Sequence, residues 1–81
     1  MQATQRKNKL RAYRRELYHP MVSQEQVAIQ AKISIKTYGS AERDSRITYN
    51  TAQDILAAIN HFRQERHLPK VTDADLGLNY R

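Results

Sequence analysis

The residues that could carry catalytic or metal-binding chemistry are few and poorly spaced for it. His19, His61 and His67 include no i, i+4 pair, and the sequence has no cysteine and no glycine-rich phosphate loop. The carboxylates after Thr48 are scattered, and a chain of 81 residues has little room for a cleft that would desolvate them. We therefore expect no enzymatic activity, no metal, no cofactor and no small-molecule substrate.

Basic side chains, which bind phosphate and the edges of bases, are concentrated at one end of the chain. The sequence has 14 Lys and Arg, 8 Asp and Glu, and a net charge of +6. Residues 1–20 contain six of the basic residues and one acid, whereas residues 49–81 contain four of each sign. A cationic end of this kind is typical of a surface that meets a polyanion such as nucleic acid. A solubilising N-terminal tail is the alternative.

Helices must position these side chains, because the chain has only two Gly and two Pro and its apolar residues recur at helical spacing. A first helix is predicted over about residues 4–18. His19-Pro20 ends it, since a residue before proline avoids the α region.

Capping residues predict the helices that follow. Ser23 followed by Gln26 is a capping-box signal. Ser34 caps a helix over about residues 35–42, and Thr48 caps one that runs to about Arg66. Thr72 can cap one further turn, although the apolar residues of 76–80 also alternate as in an extended segment. The predicted fold class is all-α, a small domain of four or five helices.

The two helices within residues 23–43 are the most informative pair. Two short helices joined by a tight turn form a helix-turn-helix, in which the first braces against the DNA backbone and the second enters the major groove. The same pair occurs in other small helical domains for packing alone.

The residue pattern resembles the lambda-repressor-like, or XRE, helix-turn-helix family over about residues 10–62. The segments that carry the resemblance are LRAYR at 10–14, SQEQVA at 23–28, Ala31, Ile33-Ser34, Tyr38, Ala41-Glu42, Thr51-Ala52 and Ile55-Leu56. The resemblance implies that Gln24 contacts phosphate and that Glu42 is a buried acid paired with Arg14. Two departures are a longer loop at 18–22 and Lys32 at a turn position where the family has a left-handed glycine.

The predicted contact residues lie mainly on the third helix. At 100° per residue, Tyr38 and Ala41 turn inward while Lys36, Ser40 and Arg43 turn outward. Arg and Lys donate to guanine, and methyl groups meet thymine. The residues predicted to contact bases or the groove are Ile35, Lys36, Thr37, Ser40 and Arg43. Those predicted to contact phosphate are Gln24, Ser34, Arg46, Asn50, Arg6, Lys7 and Lys9.

These observations predict a sequence-specific, double-stranded DNA-binding transcriptional regulator, with repression as its expected action. We assign residues 1–67 to the DNA-binding domain, and expect residues 68–81 to pack on it or on a dimer partner. A homodimer is expected, because Val71, Leu76, Leu78 and Tyr80 exceed what a small core needs. A cytoplasmic location is expected, since no segment approaches the ~20 apolar residues of a membrane span.

Two alternatives stay open. The first is an antitoxin with the same fold that also binds a toxin protein. The second is a helical protein-interaction module without groove reading.

Overall fold

Five helices make up the fold. The computed structural model describes residues 7–81, and within them it contains α1 (Leu10–Arg15), α2 (Gln24–Ala31), α3 (Ile35–Glu42), α4 (Tyr49–Glu65) and α5 (Asp73–Leu76). No β-strand occurs in this part of the chain, where an isolated parallel bridge joins Ile47 to Tyr80. The prediction of a small all-α fold with four or five helices is therefore confirmed.

The predicted N-caps fix where the later helices begin. The hydroxyls of Ser23, Ser34, Thr48 and Thr72 each accept a hydrogen bond from the backbone N–H three residues further on. The backbone N–H of Ser23 in turn donates a hydrogen bond to the side-chain Oε1 of Gln26, and this second bond completes the capping box. These bonds satisfy N–H groups that a helix leaves open at its start, so helix starts can be predicted from local sequence.

Helix α1 is shorter than the predicted 4–18, of which residues 4–6 lie outside the described residues. Just before α1, the backbone forms hydrogen bonds that are not helical. Asn8 Oδ1 accepts the N–H of Leu10 at 3.0 Å, and the N–H of Lys9 donates to the carbonyl of Leu76 at 2.8 Å. At the other end, Leu17 folds into the core after a tight turn in which its N–H bonds to Arg14. The predicted bounds are therefore wrong at residues 7–9 and 16–18.

Several helices end at a left-handed residue that is not glycine. Lys32 after α2 has φ 62°, Asp44 after α3 has φ 67°, and His67 after α4 has φ 57°. After Lys32, the N–H of Ile33 bonds back to the carbonyl of Ala28 at 3.0 Å. Such bonds satisfy carbonyls that the helix leaves open, and they offset the penalty of about 1 kcal/mol for an L-residue in this region.

The core lies where α2 packs against α3 and α4. Its largest fully buried side chains are Tyr38, Leu10, Leu17, Ile55, Ile59, Leu76, Val22 and Val27. The apolar stripe of α4 supplies one wall, because Ala52, Ile55 and Ile59 recur on the same face of the helix.

Residues 68–81 complete this core instead of standing apart from it. Val71, Leu76 and Leu78 are at most 6% exposed within the single chain. Asn60 on α4 exchanges hydrogen bonds of 2.9 and 3.0 Å with the backbone of Val71. The expectation that these apolar side chains exceed what the core needs is therefore wrong for Val71, Leu76 and Leu78, whereas Tyr80 is 37% exposed.

Candidate nucleic-acid interface

Helices α2 and α3 are eight residues each and are joined by the three residues 32–34. Their packing leaves one face of α3 outward. Tyr38 and Ala41 are fully buried, whereas Ile35 is 52% exposed and Lys36 is exposed. Thr37 and Ser40 are half-buried at the edge of this face, and Arg43 follows it as the exposed C-cap of α3. The predicted groove-contact residues thus lie along one side of a short helix.

The charges around α3 are divided between the inside and the outside of the fold. Residues 34–50 contain two acids, and both are bonded within the chain: Glu42 to Arg14, and Asp44 to the N–H of Asn8 at 2.7 Å. The three cations of this segment are exposed, and no carboxylate of residues 7–81 forms an ion pair with them; they are Lys36, Arg43 and Arg46. The outward face is therefore cationic, which favours an anionic ligand.

Glu42 joins three helices through its carboxylate. Arg14 of α1 donates from Nε to Oε2 at 2.5 Å and from Nη2 to Oε1 at 3.3 Å. Gln24 of α2 donates from Nε2 to Oε1 at 2.8 Å. Arg14 also donates to the carbonyl of Val22 at 3.2 Å, so it holds the loop before α2 as well. The predicted pair of Arg14 and Glu42 is present, and sequence patterns did not reveal the bond to Gln24.

Burial and hydrogen bonding set the ionisation of this cluster. The Glu42 side chain is only 3% exposed. Burial disfavours its charged form, but the bonds from Arg14 and Gln24, with the neighbouring Tyr38 hydroxyl, outweigh it and lower the pKa of Glu42. The bond to Glu42 raises the pKa of Arg14. Burial, followed by the proximity of Glu42, raises the pKa of Tyr38, so its hydroxyl stays protonated.

Gly39 lies under two of the predicted contact residues. A Cβ at this position would lie 3.3 Å from Nη1 of Arg43 and 4.0 Å from Oε1 of Gln24. Arg43 also approaches Ser40, with Nη2 3.4 Å from Oγ. The guanidinium of Arg43 therefore runs back along α3 towards the start of α2. Gly39 itself is buried beneath these side chains.

The predicted phosphate contacts occupy several places around this face. Gln24 is the first residue of α2, and Arg46 and Asn50 are exposed on either side of the start of α4. The Ser34 hydroxyl caps α3 by accepting the N–H of Thr37, and it donates to the Thr37 hydroxyl at 2.8 Å. Its bonding is thus within the chain.

The exposed Lys7 and Lys9 are held near the end of α3 by the residue between them. Asn8 donates from Nδ2 to the carbonyl of Ala41 at 2.7 Å. Sequence reasoning missed Asn8; its position two residues before Leu10 was the available signal, because asparagine favours helix starts. Arg6 lies outside the described residues.

No arrangement within residues 7–81 gathers three His, Cys, Asp or Glu side chains that could hold a metal ion. An open cleft between the loop after α1 and the end of α4 is lined by Glu16, Tyr18, His19, Glu65, Arg66 and Leu68. Both carboxylates of this cleft form ion pairs with arginines. Glu16 Oε1 lies 3.0 Å from Nη1 of Arg63, and Glu65 Oε1 lies 3.7 Å from Nη1 of Arg66. None of the described helices is both long enough and apolar enough to cross a membrane.

Fold and surface together define a small, basic, all-helical protein with a cationic face beside its α2–α3 pair. Compared with known proteins, the chain matches no family model, no curated protein and no solved structure. Its functional interpretation therefore depends on its own residues and their geometry.

Proposed function

We propose that this protein is a lambda-repressor-like helix-turn-helix regulator that binds double-stranded DNA at a specific sequence and represses transcription. The observation that supports the proposal is the division of charge at α3. Glu42 is buried in an ion pair and the half-buried Asp44 is bonded to the N–H of Asn8, whereas Lys36, Arg43 and Arg46 face outward. A duplex presents a dense row of phosphates to such a face. The protein acts in the cytoplasm and requires neither a catalytic group nor a cofactor.

In this proposal α3 reads bases from the major groove. An α-helix with its side chains is about 10–12 Å in diameter and so fits the major groove, which is about 12 Å wide. Lys36 is placed to donate to guanine O6 and N7. The exposed Ile35 offers apolar surface to a thymine methyl, and Thr37 and Ser40 offer hydroxyls at the edge.

Residues around α3 fix the helix on the backbone. Gln24 and the exposed Arg46 and Asn50 contact phosphate, and such contacts set the register of the protein without specifying sequence. Lys7 and Lys9 add cations next to Asn8, which is bonded to the last turn of α3.

The protein binds as a homodimer, because one module of this size contacts too little DNA for the affinity of a repressor. Two copies place their reading helices in successive major grooves, about 34 Å apart. Val71, Leu76 and Leu78 stay in the core of each copy, so any dimer contact uses the exposed surface. Sedimentation with and without duplex measures this assembly.

A matched pair of variants tests the role of α3. Lys36→Ala is expected to weaken binding to the preferred duplex by about 1–3 kcal/mol and to relax base preference at one position. Lys70→Ala removes the same charge from an exposed site in the loop before α5, and is expected to leave base preference unchanged. Equal effects of the two variants on discrimination between duplexes would contradict the proposal.

A further inference from the structure

Residues 79–81 are fixed against the loop that follows α3. The N–H of Ile47 donates to the carbonyl of Asn79, and the N–H of Arg81 donates to the carbonyl of Ile47, both at 2.9 Å. The side chain of Asn79 also donates from Nδ2 to the carbonyl of Asp44 at 3.1 Å. These bonds bring Arg81 to the edge of the cationic face beside α3.

The guanidinium of Arg81 has two nitrogen atoms left for a ligand. Its Nε donates to the backbone carbonyl of Arg46 at 3.2 Å, and this bond sets where the guanidinium lies. Within residues 7–81, Nη1 and Nη2 of Arg81 have no hydrogen-bond partner, and no Asp or Glu forms an ion pair with either Arg81 or Arg46. Both arginines are exposed. Two cations held on neighbouring segments without a bonded acid favour an anion beside them.

Two tyrosines extend this surface. Tyr49, the first residue of α4, is 62% exposed, and its ring centre lies 5.9 Å from that of Tyr80. The hydroxyl of Tyr80 donates to the carboxylate of Asp73, so this acid is bonded within the chain. Arginine and tyrosine side chains both contact the sugar and phosphate of DNA. The composition of the surface therefore suits a nucleic-acid backbone.

We propose that residues 79–81 belong to the DNA-binding surface, and that Arg81 joins Arg46 in binding a phosphate beyond the bases that α3 reads. The inference rests on the proposed function, and it extends the interface to a part of the chain that the sequence assigned to packing or dimerisation. Arg46 lies in the loop after α3, and a loop beyond the end of a reading helix meets the backbone at the wall of the groove. Nη1 and Nη2 of Arg81 can donate to one phosphate in parallel.

Arg81→Ala is expected to weaken binding to preferred and random duplexes by the same factor, about three- to tenfold, and to lower the slope of log K against log salt by about 1. The melting temperature is expected to stay unchanged, because this exposed side chain makes one hydrogen bond to the fold. Arg81→Lys keeps the charge and is expected to keep the salt slope. Lys70→Ala, which removes one exposed cation before α5, is the matched control and is expected to leave the slope unchanged. Equal slopes for Arg81→Ala and Lys70→Ala would overturn the inference.

Duplexes that carry one uncharged methylphosphonate linkage locate the phosphate. Wild type is expected to lose affinity at a linkage outside the preferred sequence. Arg81→Ala and Arg46→Ala are expected to lose much less at that same linkage, because each has already lost part of the contact.

The outcomes separate the inference from the function on which it rests. If each linkage weakens wild type and Arg81→Ala by the same factor, Arg81 contacts no phosphate, and the DNA-binding proposal survives. If Arg81→Ala instead turns a dimer into a monomer in sedimentation, residues 79–81 serve assembly and the inference is overturned. If wild type binds no duplex at low salt, both proposals are overturned.

Discussion

Gln24, the first residue of α2, donates a hydrogen bond of 2.8 Å to Glu42, the last residue of α3. The bond links the outer ends of the two helices across the turn at 32–34. It also places a polar side chain of α2 beside the cationic face while keeping the acid of α3 inside. Arg14 completes the cluster from α1, so one carboxylate holds the relative positions of three helices.

Glu42→Ala is expected to lower the free energy of unfolding by about 3 kcal/mol, because it leaves the guanidinium of Arg14 partly buried without its partner. Urea denaturation at neutral pH measures the change. Asp54→Ala, which removes an exposed acid from α4, is the control and is expected to change stability by less than about 0.5 kcal/mol. Similar losses in the two variants would show that the cluster contributes little.

The same carboxylate predicts a dependence of stability on pH. The folded-state pKa of Glu42 lies below its ordinary value of 4.5. A carboxylate with a lowered pKa contributes stability above its unfolded pKa, and loses that contribution as pH falls through the folded pKa. The difference in unfolding free energy between wild type and Glu42→Gln is therefore expected to be constant near neutrality and to shrink under acid. A difference that stays constant throughout would contradict the assignment.

Local chemistry explains which parts of the fold could be predicted from sequence. Ser34 and Thr48 cap the helices that follow them, and a cap depends on residues only three positions away. Asn8 bonds to Ala41 and Asp44, more than thirty residues along the chain. No periodicity within residues 4–18 carries information about such partners, which is why the start of α1 was placed too early.

Lys32→Gly is expected to raise the free energy of unfolding by about 0.5–1 kcal/mol, because glycine adopts the left-handed conformation at position 32 without a Cβ penalty. Ala57→Gly, at an exposed position inside α4, is the matched control and is expected to lower stability by about 1 kcal/mol. Thermal unfolding of both variants checks the opposite signs. A loss of stability in Lys32→Gly would mean that the lysine makes a contact that outweighs its strain.

Leu76→Ala is expected to cost about 3 kcal/mol, because the side chain is fully buried and its removal leaves a cavity. Met21→Ala removes a large apolar side chain that is 68% exposed, and is expected to change little. For the same reason residues 1–67 alone are expected to be unfolded, as measured by circular dichroism. A folded, fully stable 1–67 fragment would show that the C-terminal segment is separable.

Part of the candidate site could be predicted from the sequence because, like a helix cap, it depends only on residues a few positions apart. The outward side of α3 follows from a fixed rotation per residue, so Lys36 and Tyr38 could be assigned to opposite sides. The position of Gly39 under Arg43 and Gln24 depends on how two helices pack, and on side-chain conformations that one helix does not determine.

Selection from a pool of randomised duplexes with the purified protein measures whether it recognises one DNA sequence. We expect enrichment of one inverted repeat, with half-sites one helical turn apart and binding at least about a thousandfold tighter than to random duplex. We also expect log K for the selected duplex to fall linearly with log salt. Recovery of no common sequence, or binding that salt does not weaken, would show that the protein is not a sequence-specific DNA-binding protein.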